Sequence, residues 1–509
     1  MSKKNGYKKN SQASFRRRNA ENGFFPGERR GEKRRPRYHE IIVPALDVLI
    51  GDPNILSPSA STKRKADLLL IPEFYIGKIS RLQDEQSSRG EATKVLTGRL
   101  VEILKTLHDE VEDKFLCENG MEIRIVRMNE LDVKLRDDAS GSTSQHTIAT
   151  AKAYAERYPK QKLAIMTGDD NVSAKAYLSG FDVAHINDTV YTGRRKVVMD
   201  EADISNWRHK GYITIEDWQE HYPNEAPLRC NEFVEFIVDE VTRRQYPAVG
   251  AFVGRFEPFV KGDDRPCIQK LHYIDNAPRF IKPWTAGQAM FMEALLAPVD
   301  EIPIVICPSV FGTGKTFLAT SIGLHLATGK RARFEQIFVC PRDAKLGDEI
   351  GFLPGSEREK TIAKAMPIVD NIRAYLKAQN NKEQGGFEKG RAQIDKEINE
   401  LLEKYFSFVP IINMGGRSIA NSWIIYDEFQ DTERFQAQQL MKRTGDGSKI
   451  IVMGDPLQRT NRHINHNSNG LSYAASKLAG NKYAAVIKMD RDEITRSDAA
   501  KVIAEAFDG

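Results

Sequence analysis

The sequence has no apolar run approaching the roughly 18 residues that cross a bilayer, and its first residues carry no apolar signal core. A membrane-spanning or secreted chain is therefore not expected. Cysteine is scarce as well. Cys117, Cys230, Cys267, Cys307 and Cys340 are scattered without a C-x-x-C pair. That spacing excludes a disulfide framework and a zinc ribbon, and it fits reduced thiols in a cytoplasm. Cys307 and Cys340 lie in or beside apolar runs and read as small core residues. Against these absences stand 509 residues with 40% hydrophobic and 28% charged side chains, enough for two to four domains of ordinary globular type.

Charge is unevenly placed. Residues 1–37 hold 13 Lys/Arg against Glu21, Glu28 and Glu32, a net of +10, which leaves −5 for the rest of a chain whose total is +5. This head lacks apolar periodicity and reads as a basic disordered tail, 1–38. Its Arg16-Arg17-Arg18 and Arg29–Arg37 clusters, interleaved with Phe15, Phe24, Phe25 and Tyr38, suit a nucleic-acid backbone with some base stacking.

The strongest motif is Ser309-Val310-Phe311-Gly312-Thr313-Gly314-Lys315-Thr316. It follows the apolar Ile304-Val305-Ile306 and opens a helical pattern from Phe317 to Ala327, the strand–loop–helix setting of a phosphate-binding loop. There, successive backbone N–H groups and the helix N-terminus face nucleotide phosphates. Lys315 is placed for the β- and γ-phosphates and the Thr316 hydroxyl for Mg²⁺. The pattern normally opens with Gly, and Ser309 stands there instead, so an altered loop is expected if positive φ is required.

About 110 residues on, the apolar Ser422–Tyr426 ends in Asp427-Glu428. On a strand beside the loop's own strand, Asp427 would hold Mg²⁺ and Glu428 would orient and deprotonate the attacking water. A third apolar strand, Lys449–Met453, leads into Gly454-Asp455-Pro456-Leu457-Gln458. This resembles the G-D-P-x-Q element of superfamily-1 helicases, which implies that Gln458 senses the γ-phosphate. Gln288, in Trp284-Thr285-Ala286-Gly287-Gln288, is placed like their adenine-reading glutamine.

From about residue 280 to 509 the chain resembles the PhoH-type ATPases. The resemblance rests on Gly312–Thr316, Pro341–Gly355 with its Ile350-Gly351-Phe352-Leu353-Pro354-Gly355 string, Gly416-Arg417-Ser418, Asp427–Thr432 and Gly454–Gln458. Arg443 and Arg496 stand where the family carries arginines, and the resemblance implies a γ-phosphate contact across a subunit boundary, with Arg496 the candidate finger. A single ATPase lobe implies a working ring of subunits, a hexamer by the family's habit. Lys382–Lys404, dense in both charge signs, reads as one long inserted helix with Ile394, Ile398, Leu401 and Leu402 along one face.

The N-terminal half resembles PIN nuclease domains. Leu163-Ala164-Ile165 followed by Met166-Thr167-Gly168-Asp169-Asp170-Asn171 and Lys175-Ala176 is similar to their T-K-D-x-N-x-x-x-K-A segment, and Ile41–Pro53 sits at their first strand. The resemblance implies a cluster of three or four acids holding Mg²⁺ or Mn²⁺. Aligned by residue, the first acid is Ala45, with Asp47 two places on. The acid after the second strand becomes Gly77 or Lys78. The one before the middle helix becomes Gln145, with Asp137 and Asp138 earlier, and Asp169 is kept. Asp47 and Asp169 are thus the candidate metal ligands of a degraded or rearranged site.

The expected fold is α/β throughout: a PIN-like domain over 39–190, a small β-containing connector over 191–280, and a RecA-like P-loop ATPase with a parallel sheet over 281–509. The resemblance implies an ATP- and Mg²⁺-dependent ATPase acting on RNA, a possible helicase. Two other readings stay open. One is a nucleotide-gated scaffold for RNA or protein that does not unwind; the other is a metal-dependent ribonuclease coupled to the ATPase. The first site set is Gln288, Ser309, Gly312, Thr313, Gly314, Lys315 and Thr316 for the nucleotide, with Asp427, Glu428, Gln458 and Arg496 for hydrolysis.

Overall fold

The computed structural model describes residues 38–57, 66–83, 88–110, 114–131, 142–184, 191–198, 201–223, 227–237, 251–257, 267–329, 332–340, 366–383, 390–409, 418–458, 464 and 469–495. The chain divides after His39, and Glu40–Gly509 forms one unit. All elements below belong to it. Among the described residues no helix is long and apolar enough to cross a membrane. The basic tail, the Pro341–Gly355 string, Gly416, Arg417, Asp137, Asp138 and Arg496 lie outside the described residues.

Among the described residues, three sheets organise the unit. The first takes β1 (Glu40–Pro44), β2 (Leu68–Pro72), β3 (Phe115–Leu116), β4 (Glu122–Val126), β5 (Lys162–Met166) and β6 (Asp182–Ala184) in the order β3-β4-β2-β1-β5-β6. All pairings are parallel except β3 with β4. The runs Ile41-Ile42-Val43 and Leu68–Ile71 are apolar at every position because helices cover a parallel sheet on both faces. Those helices are α1 (Leu46–Gly51), α2 (Phe74–Leu82), α3 (Ser88–Glu110), α4 (Thr143–Arg157) and α5 (Asp170–Leu178). The order places the C-terminal ends of β1 and β5 side by side, with Val43 opposite Ile165 and Pro44 opposite Met166.

The second sheet comprises β7 (Arg194–Val198), β8 (Tyr212–Thr214), β9 (Phe233–Ile237), β10 (Ala251–Glu257) and β11 (Cys267–Lys270), with α6 (Glu201–Lys210) and α7 (Ile215–His221). Trp207 and Trp218 are buried against Phe236 and act as its core. Its attachment to the third sheet is specific. The Gly193 backbone lies so close to the Val486 carbonyl that any Cβ would collide, and its φ of 68° is one that only glycine adopts freely. Asn231 Nδ2 donates to the carbonyls of Lys482 (2.8 Å) and Ala484 (3.2 Å). Arg194, buried, pairs with Glu235 at 2.7 Å and with Glu493.

The third sheet is wholly parallel, in the order β14-β13-β15-β16-β12-β17. Its members are β12 (Ile304–Pro308), β13 (Gln336–Cys340), β14 (Phe406–Phe408), β15 (Ser422–Tyr426), β16 (Lys449–Gly454) and β17 (Ala484–Val486). Around it stand α8 (Ala286–Leu296), α9 (Lys315–Thr328), α10 (Met366–Glu383), α11 (Arg391–Tyr405), α12 (Arg434–Met441) and α13 (Gly470–Lys477). Cys307 and Cys340 are buried in strands, as read from the sequence. Two expectations are corrected. The strand ending in Asp427 is not beside the loop's strand, because β16 pairs with both and separates them. The single helix over 382–404 is two helices, α10 and α11, with Gly385, Gly386 and Gly390 between them in sequence, where a continuous helix would lose roughly 1 kcal/mol per glycine.

Candidate active site

The loop after β12 is shaped by two glycines. Gly312 and Gly314 take φ values of 77° and 82°, and Gly314 caps α9 in the left-handed region, where a side chain is strained. Ser309 is not among the described non-glycine residues with positive φ, which are Asn231, Asn421 and Glu428. The missing glycine therefore costs the loop nothing in backbone strain. The Ser309 hydroxyl instead accepts from Met489 N (2.7 Å) and donates to Ile487 O (3.3 Å), pinning the start of the loop to the segment after β17.

Around the loop, Lys315 Nζ donates to Val310 O at 3.2 Å and Thr313 Oγ1 to the same carbonyl at 3.0 Å. Thr316 Oγ1 donates to Asp427 Oδ2 at 3.0 Å, joining α9 to the end of β15 across the intervening β16. The carboxylate of Asp427 is held above the usual range by burial, a shift that the Lys315 ammonium and the Thr316 hydrogen bond oppose. The next residue, Glu428, has φ 54° and ψ 35°, a left-handed conformation uncommon for a residue with a side chain.

Sequence reasoning passed over the residue that ties these parts together. Gln430, fully buried, donates from Nε2 to Glu428 Oε2 (2.6 Å) and to Gln458 O (2.7 Å), and its Oε1 accepts from Asp455 N (3.1 Å). Asp455 in turn accepts from Phe311 N of the loop at 2.9 Å. The Gln458 side chain is exposed. Gln288 is buried against the loop: Nε2 donates to Thr313 O (3.0 Å) and Thr495 Oγ1 (3.3 Å), and Oε1 accepts from Trp284 N (2.8 Å). Thr495 N donates to Gly312 O at 3.1 Å, so the segment leading to Arg496 crosses the loop.

At the first sheet, Asp47 on α1 accepts from Thr167 Oγ1 (3.1 Å) and Gly168 N (2.8 Å), while Asp169 caps α5 through Asn171 N and Val172 N. Burial, opposed by those hydrogen bonds and reinforced by nearby Asp169, pushes the Asp47 carboxyl up to about 6. Glu73, an acid directly after β2 that the alignment overlooked, is exposed and accepts from Met128 N. Among the described residues, the acids or histidines close enough in threes to share an ion are Asp490, Asp492 and Glu493, away from this sheet. Asp47 and Asp169 thus converge without a third described carboxylate, so the described residues do not form a metal cage here.

The two halves meet at α12, which begins six residues after Glu428. Phe435 joins the buried cluster of Val48, Leu49, Leu96 and Leu100. Arg434 Nη1 lies 3.8 Å from Asp52 Oδ2 at the end of α1, the helix that carries Asp47.

Residues 280–508 match the family model described as "PhoH-like protein", and residues 43–187 match that of a PIN domain. The chain thus carries a PhoH family domain and, N-terminal to it, a PIN domain. A Bacillus subtilis protein named "Protein PhoH2" is 28% identical over 63% of this chain and 65% of its own length. Proteins of the same name from Thermobispora bispora and Mycolicibacterium smegmatis are 29% and 28% identical, over 43% and 44% of this chain and 46% of each relative. The chain thus spans between about half and two thirds of these relatives. The PhoH-like match takes in the third sheet and the loop after β12, and the PIN match takes in the first sheet.

Proposed function

We propose that the protein hydrolyses ATP and couples that hydrolysis to RNA. The observation that carries the first part is the convergence of Lys315, Thr316, Asp427 and Glu428 at one end of the parallel sheet, with the Thr316–Asp427 hydrogen bond linking two motifs 111 residues apart. The site fits the groups it would take: left-handed glycines leave the loop backbone open to phosphate, and Thr316 with Asp427 offers an oxygen pair to a hard cation. Mg²⁺ held by that pair would neutralise charge on the phosphate oxygens.

In this reading Lys315 leaves the Val310 carbonyl to meet the β- and γ-phosphates, and Glu428 accepts the proton of the attacking water. Gln430 holds the Glu428 carboxylate, and Gln458, on the same hydrogen-bonded link, reports the γ-phosphate. Arg496 would act from a neighbouring subunit of a ring, with a hexamer as the family-based expectation. RNA as the partner is supported by the basic, aromatic-containing first 37 residues. Cleavage by the PIN domain is not part of the proposal, since no three-acid cluster is found there among the described residues. The test is ATP hydrolysis by the purified protein with and without single-stranded RNA, beside Lys315→Ala. Lys315-dependent, RNA-stimulated turnover is expected; Lys315-dependent turnover indifferent to RNA would remove the RNA coupling.

A further inference from the structure

The chain has four tryptophans, and three are core residues: Trp207, Trp218 and Trp423 are 3%, 2% and 0% exposed. Trp284 is 74% exposed. An exposed indole beside a polar loop offers a flat apolar face on which a ring can stack. Its position is fixed, not loose. Pro283 precedes it, and Thr285 after it caps α8 by accepting from Gln288 N. The Trp284 backbone N–H donates to Gln288 Oε1, whose amide nitrogen donates to Thr313 O of the phosphate loop. The Trp284 backbone, and with it the root of the indole, is therefore anchored two hydrogen bonds from the loop.

Two sets of neighbours meet that loop. Asp427 and Asp455, on Thr316 and Phe311, are acidic and suit the cation and terminal phosphate. Gln288 and Thr495, on Thr313 and Gly312, are uncharged and Trp284 joins them, while the acid beside them, Glu493, is buried, bound to Gly287 N and paired with Arg194. With the phosphates on Lys315 and the cation between Thr316 and Asp427, the side of the loop that meets Gln288 and Trp284 is the one left for the base. We propose that Trp284 is the platform on which the nucleobase stacks, an inference that rests on reading the loop as an ATP site. Gln288 then serves as the strut that holds this platform to the loop.

The experiment uses the full chain and measures binding of ADP and of tripolyphosphate by calorimetry, with tryptophan emission followed in parallel. In the native protein ADP should quench the exposed-tryptophan emission and tripolyphosphate should not. Trp284→Ala should weaken ADP about tenfold or more, the scale of a lost base–aromatic stack, and leave tripolyphosphate unchanged. Trp284→Phe should recover most of the ADP affinity, and Lys315→Ala should weaken both ligands. ADP affinity within twofold of native in Trp284→Ala, with Lys315→Ala still defective, would overturn the platform alone. Equal weakening of ADP and tripolyphosphate would also overturn it. Absence of any Lys315-dependent binding in the native protein would overturn the nucleotide reading, and the platform with it.

Discussion

Glu428 combines an uncommon backbone conformation with a carboxylate held by one buried amide. Such strain persists only where neighbours fix it, and here Gln430 does so from two residues away. Glu428→Gln should therefore keep ATP binding and lower turnover by about 10²-fold or more, measured as steady-state hydrolysis beside equilibrium binding. Gln430→Ala should leave ADP affinity within a few-fold while lowering kcat by about tenfold or more, because the base loses its orientation. A matched fall in affinity would mean that Gln430 only supports the fold. Asp47 supplies a pH test. Its folded-state pKa, about 6 against an ordinary 3.8, means the native chain keeps a proton that the unfolded chain releases between about pH 4 and 6. Stability through this group falls as pH rises through that window and stays lowered above it. Asp47→Asn should raise the thermal midpoint at pH 8, by about 1–3 kcal/mol in stability, and much less at pH 4.5.

At the scale of elements, the strand ends rest on polar caps in apolar surroundings. Lys449, fully buried at the start of β16, donates to the carbonyls of Ala294, Leu295 and Ala297, the last turn of α8. Those carbonyls have no partner within their own helix, and a cation at a helix C-terminus is favoured by its dipole. Lys449→Met should cost about 2–4 kcal/mol in denaturant unfolding, since it strands buried acceptors. The elements themselves were readable wherever the signal was local. The apolar runs at Ile304, Ser422 and Lys449 became β12, β15 and β16, and the glycine spacing at 312 and 314 matched the left-handed positions. Strand order was not readable, because nothing local to β16 shows that it inserts between β12 and β15. The same limit hid the Ser309 hydroxyl's contact with Met489, 180 residues later, and Gln430's with Gln458. Nothing local to Phe435 marks its role, because its partners lie more than three hundred positions earlier.

For the whole molecule, α12 packs the PhoH-like half against the PIN half six residues after Glu428. Phe435→Ala should cost about 3–5 kcal/mol as a cavity in the PIN-side cluster. Its signature should be faster hydrogen exchange in α1 and α3, with the β12 and β16 strands still protected; uniform loss of protection would show that the contact has no local role. The connector matters in another way. Among the described residues β17 is the last strand of its sheet; Asn231 Nδ2 and the Gly193 backbone lie against it, and Thr192 O accepts from Lys488 N just beyond it. An outer strand left bare is a template on which a second chain can pair, and this one is guarded by residues that precede the PhoH-like region altogether. A chain started at residue 280 would lose that guard, and light scattering should show it growing into assemblies that the intact protein does not form.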